Sequence, residues 1–211
     1  MPENESRAPR SPGLRERKKI LTRQTIAEAA FSLAREHGLD AVTIDDIAER
    51  AFVSPRTVSN YFPSKEAAVV ASSSDGPDEL LVGLDARPAD EEPLLSLRAV
   101  IVEAMGAWDD DRLASVRERE ALIDRFPALL PHRMAQYDAL EDAMRRSVAQ
   151  RAHVDAETET FPRLVAAAAA AAVKTAVRVW VRQDGTTPTL VELVEQAFDE
   201  LEAGLPEPTE D

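Results

Sequence analysis

The sequence predicts an all-α fold, with a small N-terminal three-helix domain followed by a larger helical one. Apolar residues recur at three- and four-residue steps through most of the chain, while no segment keeps the two-residue alternation of a strand. The breaks between the periodic stretches fall at cap residues, prolines and Gly38, which are ordinary helix punctuation. A composition of 44% hydrophobic and 30% charged residues is that of a folded globular chain, and only the two ends look loose.

Each helix has its own local reason. From Leu14 to His37 the residues Ile26, Ala27, Ala30, Phe31 and Ala34 share one helical face, and Gly38 supplies the stop. Thr43 stands as a cap before Ile44, Ile47, Ala48 and Ala51, which again share a face, and Asp45 and Asp46 occupy the first turn, where the helix dipole favours negative charge. Ser54 followed by Pro55 opens another helix, Pro63 ends it, and Ser64 caps a short one running to about Ala71. The turn-rich SSSDGPDE and the acidic loop DARPADEEP follow. Beyond them helices are expected at 94–108, 110–125, 131–151, 158–183 and 189–203, separated at Asp109, Pro127, Pro131, the stretch around Asp155 and DGTTP at 184–188.

The stretch from Thr43 to Lys65, TIDDIAERAFVSPRTVSNYFPSK, thus reads as two short helices joined by a tight turn, the arrangement of a helix-turn-helix. On its second helix Pro55, Val58 and Phe62 fall on one side, and Arg56, Ser59 and Asn60 on the other. Arginine grips guanine bidentately and asparagine grips adenine, while the hydroxyls of Ser54, Thr57, Ser59 and Tyr61 suit base edges or phosphate oxygens. Lys65, beside the Ser64 cap, is expected to aim a cation at a phosphate. The charge distribution agrees. Residues 1–70 carry 11 Lys and Arg against 10 Asp and Glu, and the rest of the chain 14 against 29, so the net charge of −14 lies outside the reading segment. A basic cluster that includes Arg17 and Lys18 precedes the motif and suits phosphate or minor-groove contact. The plainer alternatives are a helical hairpin with a solvated polar face and a solubilising basic tail.

The run TIDDIAERAFVSPRTVSNYFPSKE resembles the signature of the TetR family of bacterial transcriptional regulators, and the resemblance extends upstream through Ile20 to Gly38. It implies that Thr43, Arg56, Thr57, Asn60, Tyr61 and Lys65 occupy positions that touch DNA. The chain departs from many members at Ser59, where they carry an aromatic residue, so operator preference does not transfer. The implied organisation is a disordered basic arm over 1–13, a helix-turn-helix DNA-binding domain over 14–72, a helical ligand-binding and dimerisation domain over 73–205, and a disordered tail over 206–211.

The middle helices collect large flexible apolar side chains, and Met105, Trp108, Phe126, Met134 and Tyr137 are the candidate pocket; core packing is the simpler use of such residues. Val173, Val177 and Trp180 on one helix, with Leu190, Val194 and Phe198 on the last, form apolar stripes that suggest a seam. The resemblance makes that seam a four-helix interface between subunits; an intrachain helix pair is the alternative. The second half is also similar to regulators with an acyl-CoA-like ligand domain, in its alanine-rich helix ending in an aromatic residue and its helix over 131–151.

Other classes lose ground on the sequence. There is no cysteine, His37, His132 and His153 lack metal-ligand spacing, and no nucleophile elbow, phosphate loop or dinucleotide fingerprint occurs, so no enzyme activity, cofactor or metal is expected. The opening residues do not resemble a signal peptide, and Lys174 and Arg178 interrupt the apolar run over 164–181, so a bacterial cytoplasmic, DNA-associated protein without a membrane span is expected. The expected partners are double-stranded DNA with a palindromic operator, a second copy of the chain as homodimer, and an unidentified small-molecule effector, apolar or acyl-type, that releases a repressor from its operator. An activator of the same fold, or a non-enzymatic helical adaptor, remains the alternative.

Overall fold

The computed structural model describes residues 13–71, 80–183 and 187–207, apart from the side chain of Glu16. All but Gly13 of the expected arm over 1–13, the junction over 72–79, part of the DGTTP break at 184–186, and residues 208–211 of the expected tail over 206–211 lie outside the described residues. The described residues form helices and no strand. The chain divides into two compact units, one up to residue 75 and one from residue 76.

In the first unit α1 (Leu14–His37) runs into a 3-10 turn at Leu39–Ala41, followed by α2 (Ile44–Arg50), α3 (Pro55–Tyr61) and α4 (Lys65–Val70). Helix α1 packs on α2 and α4, and α2 on α3. The face expected of α1 is buried, together with Leu39, Val42, Ile47, Val58 and Phe62. These side chains make a small apolar core that fixes α3, since burial of each large one removes a cost of about 1.5–3 kcal/mol for leaving it in water. Two details differ from the sequence pattern. Pro55 is exposed rather than inward, and Phe62 reaches the core from extended backbone just past α3.

Short helices need their ends satisfied, and here they are. Thr43 and Asp46 form a reciprocal capping box: the Asp46 amide donates to Thr43 Oγ1 at 3.2 Å and the Thr43 amide donates to the Asp46 carboxylate at 2.9 Å. The Thr43 hydroxyl, then its amide, hold the Asp46 carboxyl below the usual range. Ser54 Oγ accepts from the Thr57 amide at 3.1 Å, and Ser64 Oγ from the Ala67 amide at 3.1 Å. A bidentate pair from Arg50 to Glu36, at 3.1 and 2.8 Å, ties the end of α2 to the end of α1.

The second unit contains α5 (Pro93–Gly106), α6 (Asp110–Arg125), α7 (Leu130–Ala152), α8 (Thr160–Arg182) and α9 (Leu190–Glu202), all within a few residues of the expected spans. Helix α8 is central and packs against α7, α9 and α5. It is long and apolar enough to cross a membrane by length and composition, yet its Ala166, Ala169, Val173, Val177 and Trp180 are buried in a core with Leu97, Ile101, Met144, Val194 and Phe198. The alanines let neighbouring helices approach closely, and the larger residues further along fill the wider space.

Candidate nucleic-acid interface and sensor interior

The reading helix takes its orientation from buried Val58, its Ser54 cap and the Phe62 anchor. The guanidinium of half-buried Arg23 on α1 covers the Phe62 ring at 5.0 Å, closing the edge of the core, and burial lowers its pKa. With Val58 inward, Arg56, Ser59 and Asn60 are exposed together, as they must be three and four residues apart, and Thr57 and Tyr61 are half-exposed beside them. Ser54 is exposed, but its oxygen already accepts the Thr57 amide and lies 2.8 Å from the Thr57 hydroxyl. Thr43 is exposed, with its hydroxyl donating to Asp46 Oδ2 at 2.6 Å. Arg17 and Lys18 are exposed on the first turns of α1 and therefore belong to a helix rather than to a flexible arm.

Lys65 departs from expectation. Its ammonium donates to the carbonyls of Leu39 and Val42, at 2.8 Å each, and is partly buried. An ammonium has three donors, so two of them staple α4 to the turn that leads into α2, leaving at most one for a phosphate. Nothing local in the sequence announces this bond, because its partners lie 26 and 23 residues away.

The proposed seam is corrected by the fold. Val173, Val177, Trp180, Leu190, Val194 and Phe198 are 0–4% exposed within a single chain, so they have no surface left to offer a second copy. Their stripes satisfy one another across α8 and α9. The other side of α8 faces outward, presenting Phe161, Leu164, Ala168, Ala171 and Thr175 at steps of three and four, with Leu164 68% exposed.

The five candidate pocket residues occupy different settings. Met105 is fully part of the core, and Trp108 packs at its edge under the Arg112 guanidinium at 4.4 Å. Phe126 lies beside Arg125 at the end of α6, and Met134 is half-buried on α7. A pocket of about 310 Å³ opens between Asp90, Glu91, Pro93, Arg151 and Phe161. Arg151 binds that loop down, donating to the carbonyls of Leu84 at 3.1 Å and Pro88 at 2.6 Å and to Ser96 Oγ at 3.2 Å. Beside it the Arg87 guanidinium, then the Ser96 hydroxyl, pull the Glu91 carboxyl down to about 2.

Tyr137 belongs to a polar group that sequence periodicity did not single out. Glu120 on α6 pairs with Arg133 on α7, and the Arg133 guanidinium covers the Tyr137 ring at 4.6 Å. Burial raises the pKa of both Glu120 and Tyr137, against the opposing effect of Arg133. The Tyr137 hydroxyl lies near Arg133 but makes no hydrogen bond of ordinary geometry, and Arg133 Nε is likewise buried without a partner. No group of three or more acidic or histidine side chains capable of holding a metal occurs among the described residues.

Comparison with known proteins gives this geometry its context. Residues 26–71 match the domain described as bacterial regulatory proteins of the tetR family, and residues 91–206 match the MftR C-terminal domain. The HTH-type transcriptional regulator TcmR of Streptomyces glaucescens is 31% identical over 199 residues, covering 92% of this chain and 88% of TcmR. MftR of Mycobacterium tuberculosis, described as a regulator of mycofactocin biosynthesis, is 28% identical over 90% of this chain and 93% of its own length. Among solved structures, SmeT, the repressor of a Stenotrophomonas maltophilia multidrug efflux pump, shares the fold with a TM-score of 0.52 at 22% identity, over 89% of this chain and 97% of SmeT. These relatives are regulators rather than enzymes, and the chain belongs to the TetR family of DNA-binding transcriptional regulators.

Proposed function

We propose that the chain is a repressor that binds a palindromic operator as a homodimer and is released from it by a small apolar or acyl-type ligand. The observation that carries the reading is the exposed face of α3, where Arg56, Ser59 and Asn60 stand clear of the protein on a helix held from behind by Val58. Arg56 and Asn60 are assigned to base edges, and Thr43, Ser54, Thr57, Tyr61, Arg17 and Lys18 to phosphates or flanking contacts. Lys65 is a positioning residue that ties α4 to the turn before α2 through the Leu39 and Val42 carbonyls.

One helix-turn-helix touches only a few base pairs, so a two-fold pair with reading helices about 34–36 Å apart is the economical way to specify a promoter. The outward face of α8 is the surface we assign to that pairing, in place of the buried stripe. Repression needs only occupancy of a promoter, and nothing on the described surface marks an activating contact. Residues 14–72 then act as the reader and 73–205 as sensor and dimerisation domain, in a cytoplasmic protein. The ligand's apolar body would enter between α6 and α7, with its polar end at Arg133 and Tyr137. To shift a reader population hundredfold it must favour the non-binding geometry by about 2.7 kcal/mol.

Asn60→Ala tests the carrying observation. Operator affinity is expected to fall by roughly 1–3 kcal/mol while non-specific affinity is unchanged. Equal losses on both DNAs, measured by anisotropy at fixed salt, would move Asn60 to the backbone and remove the base-reading face.

A further inference from the structure

The turn between α2 and α3 holds a side chain that the fold does not explain. Helix α2 ends in a Schellman arrangement: the Val53 amide donates to the Ala48 carbonyl at 2.9 Å and the Phe52 amide to the Glu49 carbonyl at 3.2 Å. That motif places Phe52 in the left-handed region, at φ 55°, where glycine is the usual occupant and a bulky Cβ-bearing residue is strained. Such strain persists at functional positions when something else requires the side chain. Packing does not require it here. The Phe52 ring is 94% exposed, more than any other large apolar side chain among the described residues. An aromatic ring in water on a strained backbone is doubly unfavourable, and a glycine would remove both penalties.

Its place indicates what covers it. Phe52 is exposed in the turn that joins the two helices of the helix-turn-helix, two residues before the Ser54 cap of α3. Resting on the DNA-reading function proposed above, we propose that Phe52 is a further specificity-determining residue, whose ring packs against thymine methyl groups at the edge of the major groove. The thymine methyl is the one apolar feature of that groove, and an apolar side chain recognises it by contact alone. Sequestering the ring there makes burial of its apolar surface available only in the complex, which favours the bound state.

The test compares the full-length wild type with Phe52→Gly and Phe52→Leu on the selected operator, and repeats it with thymine replaced by uracil at each half-site position. Phe52→Gly is expected to unfold at the same or a higher temperature, yet to bind the operator on the order of tenfold more weakly, with non-specific binding unchanged. Phe52→Leu should fall between. At one or more positions uracil should weaken the wild type and leave Phe52→Gly unaffected. A Phe52→Gly chain that binds the operator as tightly as wild type overturns the contact, as does a loss that no uracil position reproduces. Wild type that binds no duplex at all overturns the DNA reading and this contact with it.

Discussion

The two units use polar side chains in opposite ways. In the reader the polar groups of α3 stand outward over an apolar core, and the residues 1–70 that contain it are nearly balanced in charge. In the second unit, which carries the chain's net negative charge, Glu120, Arg133 and Tyr137 are turned inward between α6 and α7. An outward polar face matches the rigid, solvated groove of a duplex, whereas an inward one is suited to a partner small enough to be enclosed. On the proposed reading, the difference separates a site that is ready before its ligand arrives from one that encloses it.

The comparison can be broken most forcefully at the reader's core. Ile47→Ala is expected to destabilise the first unit by about 2–5 kcal/mol, the cost of a cavity beneath the reading helix, and to abolish operator binding near physiological temperature. A denaturation curve with no loss of the first unit's stability would show that α3 does not depend on that core. Two cations then sharpen the contrast. Lys65→Met leaves the Leu39 and Val42 carbonyls without their donor and should cost about 1–3 kcal/mol in the reader; Arg133→Met strands Glu120 and should cost about as much in the second unit, since the pair is partly rather than wholly buried. Lys65→Met should also weaken DNA binding with little change in salt slope. A slope reduced by a full charge would return Lys65 to a direct phosphate role.

Smaller effects follow from the groups with the least to lose. Tyr137→Phe removes a hydroxyl that makes no good hydrogen bond, so stability should change by no more than about 0.5 kcal/mol while release from the operator by an added long-chain acyl-CoA is weakened. Unaltered release would take Tyr137 out of the effector site. The Glu91 carboxyl, depressed to about 2 in the fold, contributes stability that is present above its unfolded value of 4.5 and lost as the pH falls toward 2. Glu91→Gln should therefore flatten the pH dependence of unfolding across that window, and an unchanged dependence would assign the loss to other carboxylates.

What the sequence made legible was local. The capping box at Thr43 and Asp46, the Ser54–Pro55 start and the Asp109 cap, whose carboxylate accepts the Arg112 amide at 2.9 Å, are written within four residues each, and the helix limits followed from them. The outward face of α3 was equally plain, because its period alone separates Val58 from Arg56 and Asn60. Apart from the exposed Pro55 and the extended backbone at Phe62, the departures were long-range. A stripe such as Val173, Val177 and Trp180 looks the same whether the helix it meets is its own chain's α9 or a second copy's, and only the fold showed that α9 takes it. Lys65 looked free because its carbonyl partners lie far back in the chain. The Glu120–Arg133 pair joins two helices, and no single helix's pattern contains it.

Selection of bound sequences from random duplex DNA, with the purified full-length chain at near-physiological salt, tests the central claim most directly. An inverted repeat whose half-sites are centred about one helical turn apart, or a multiple of it, is the expected product, with affinity that falls as salt rises. Failure to enrich any sequence, together with no binding even at low salt, would contradict it and leave the exposed face of α3 without the use assigned to it here.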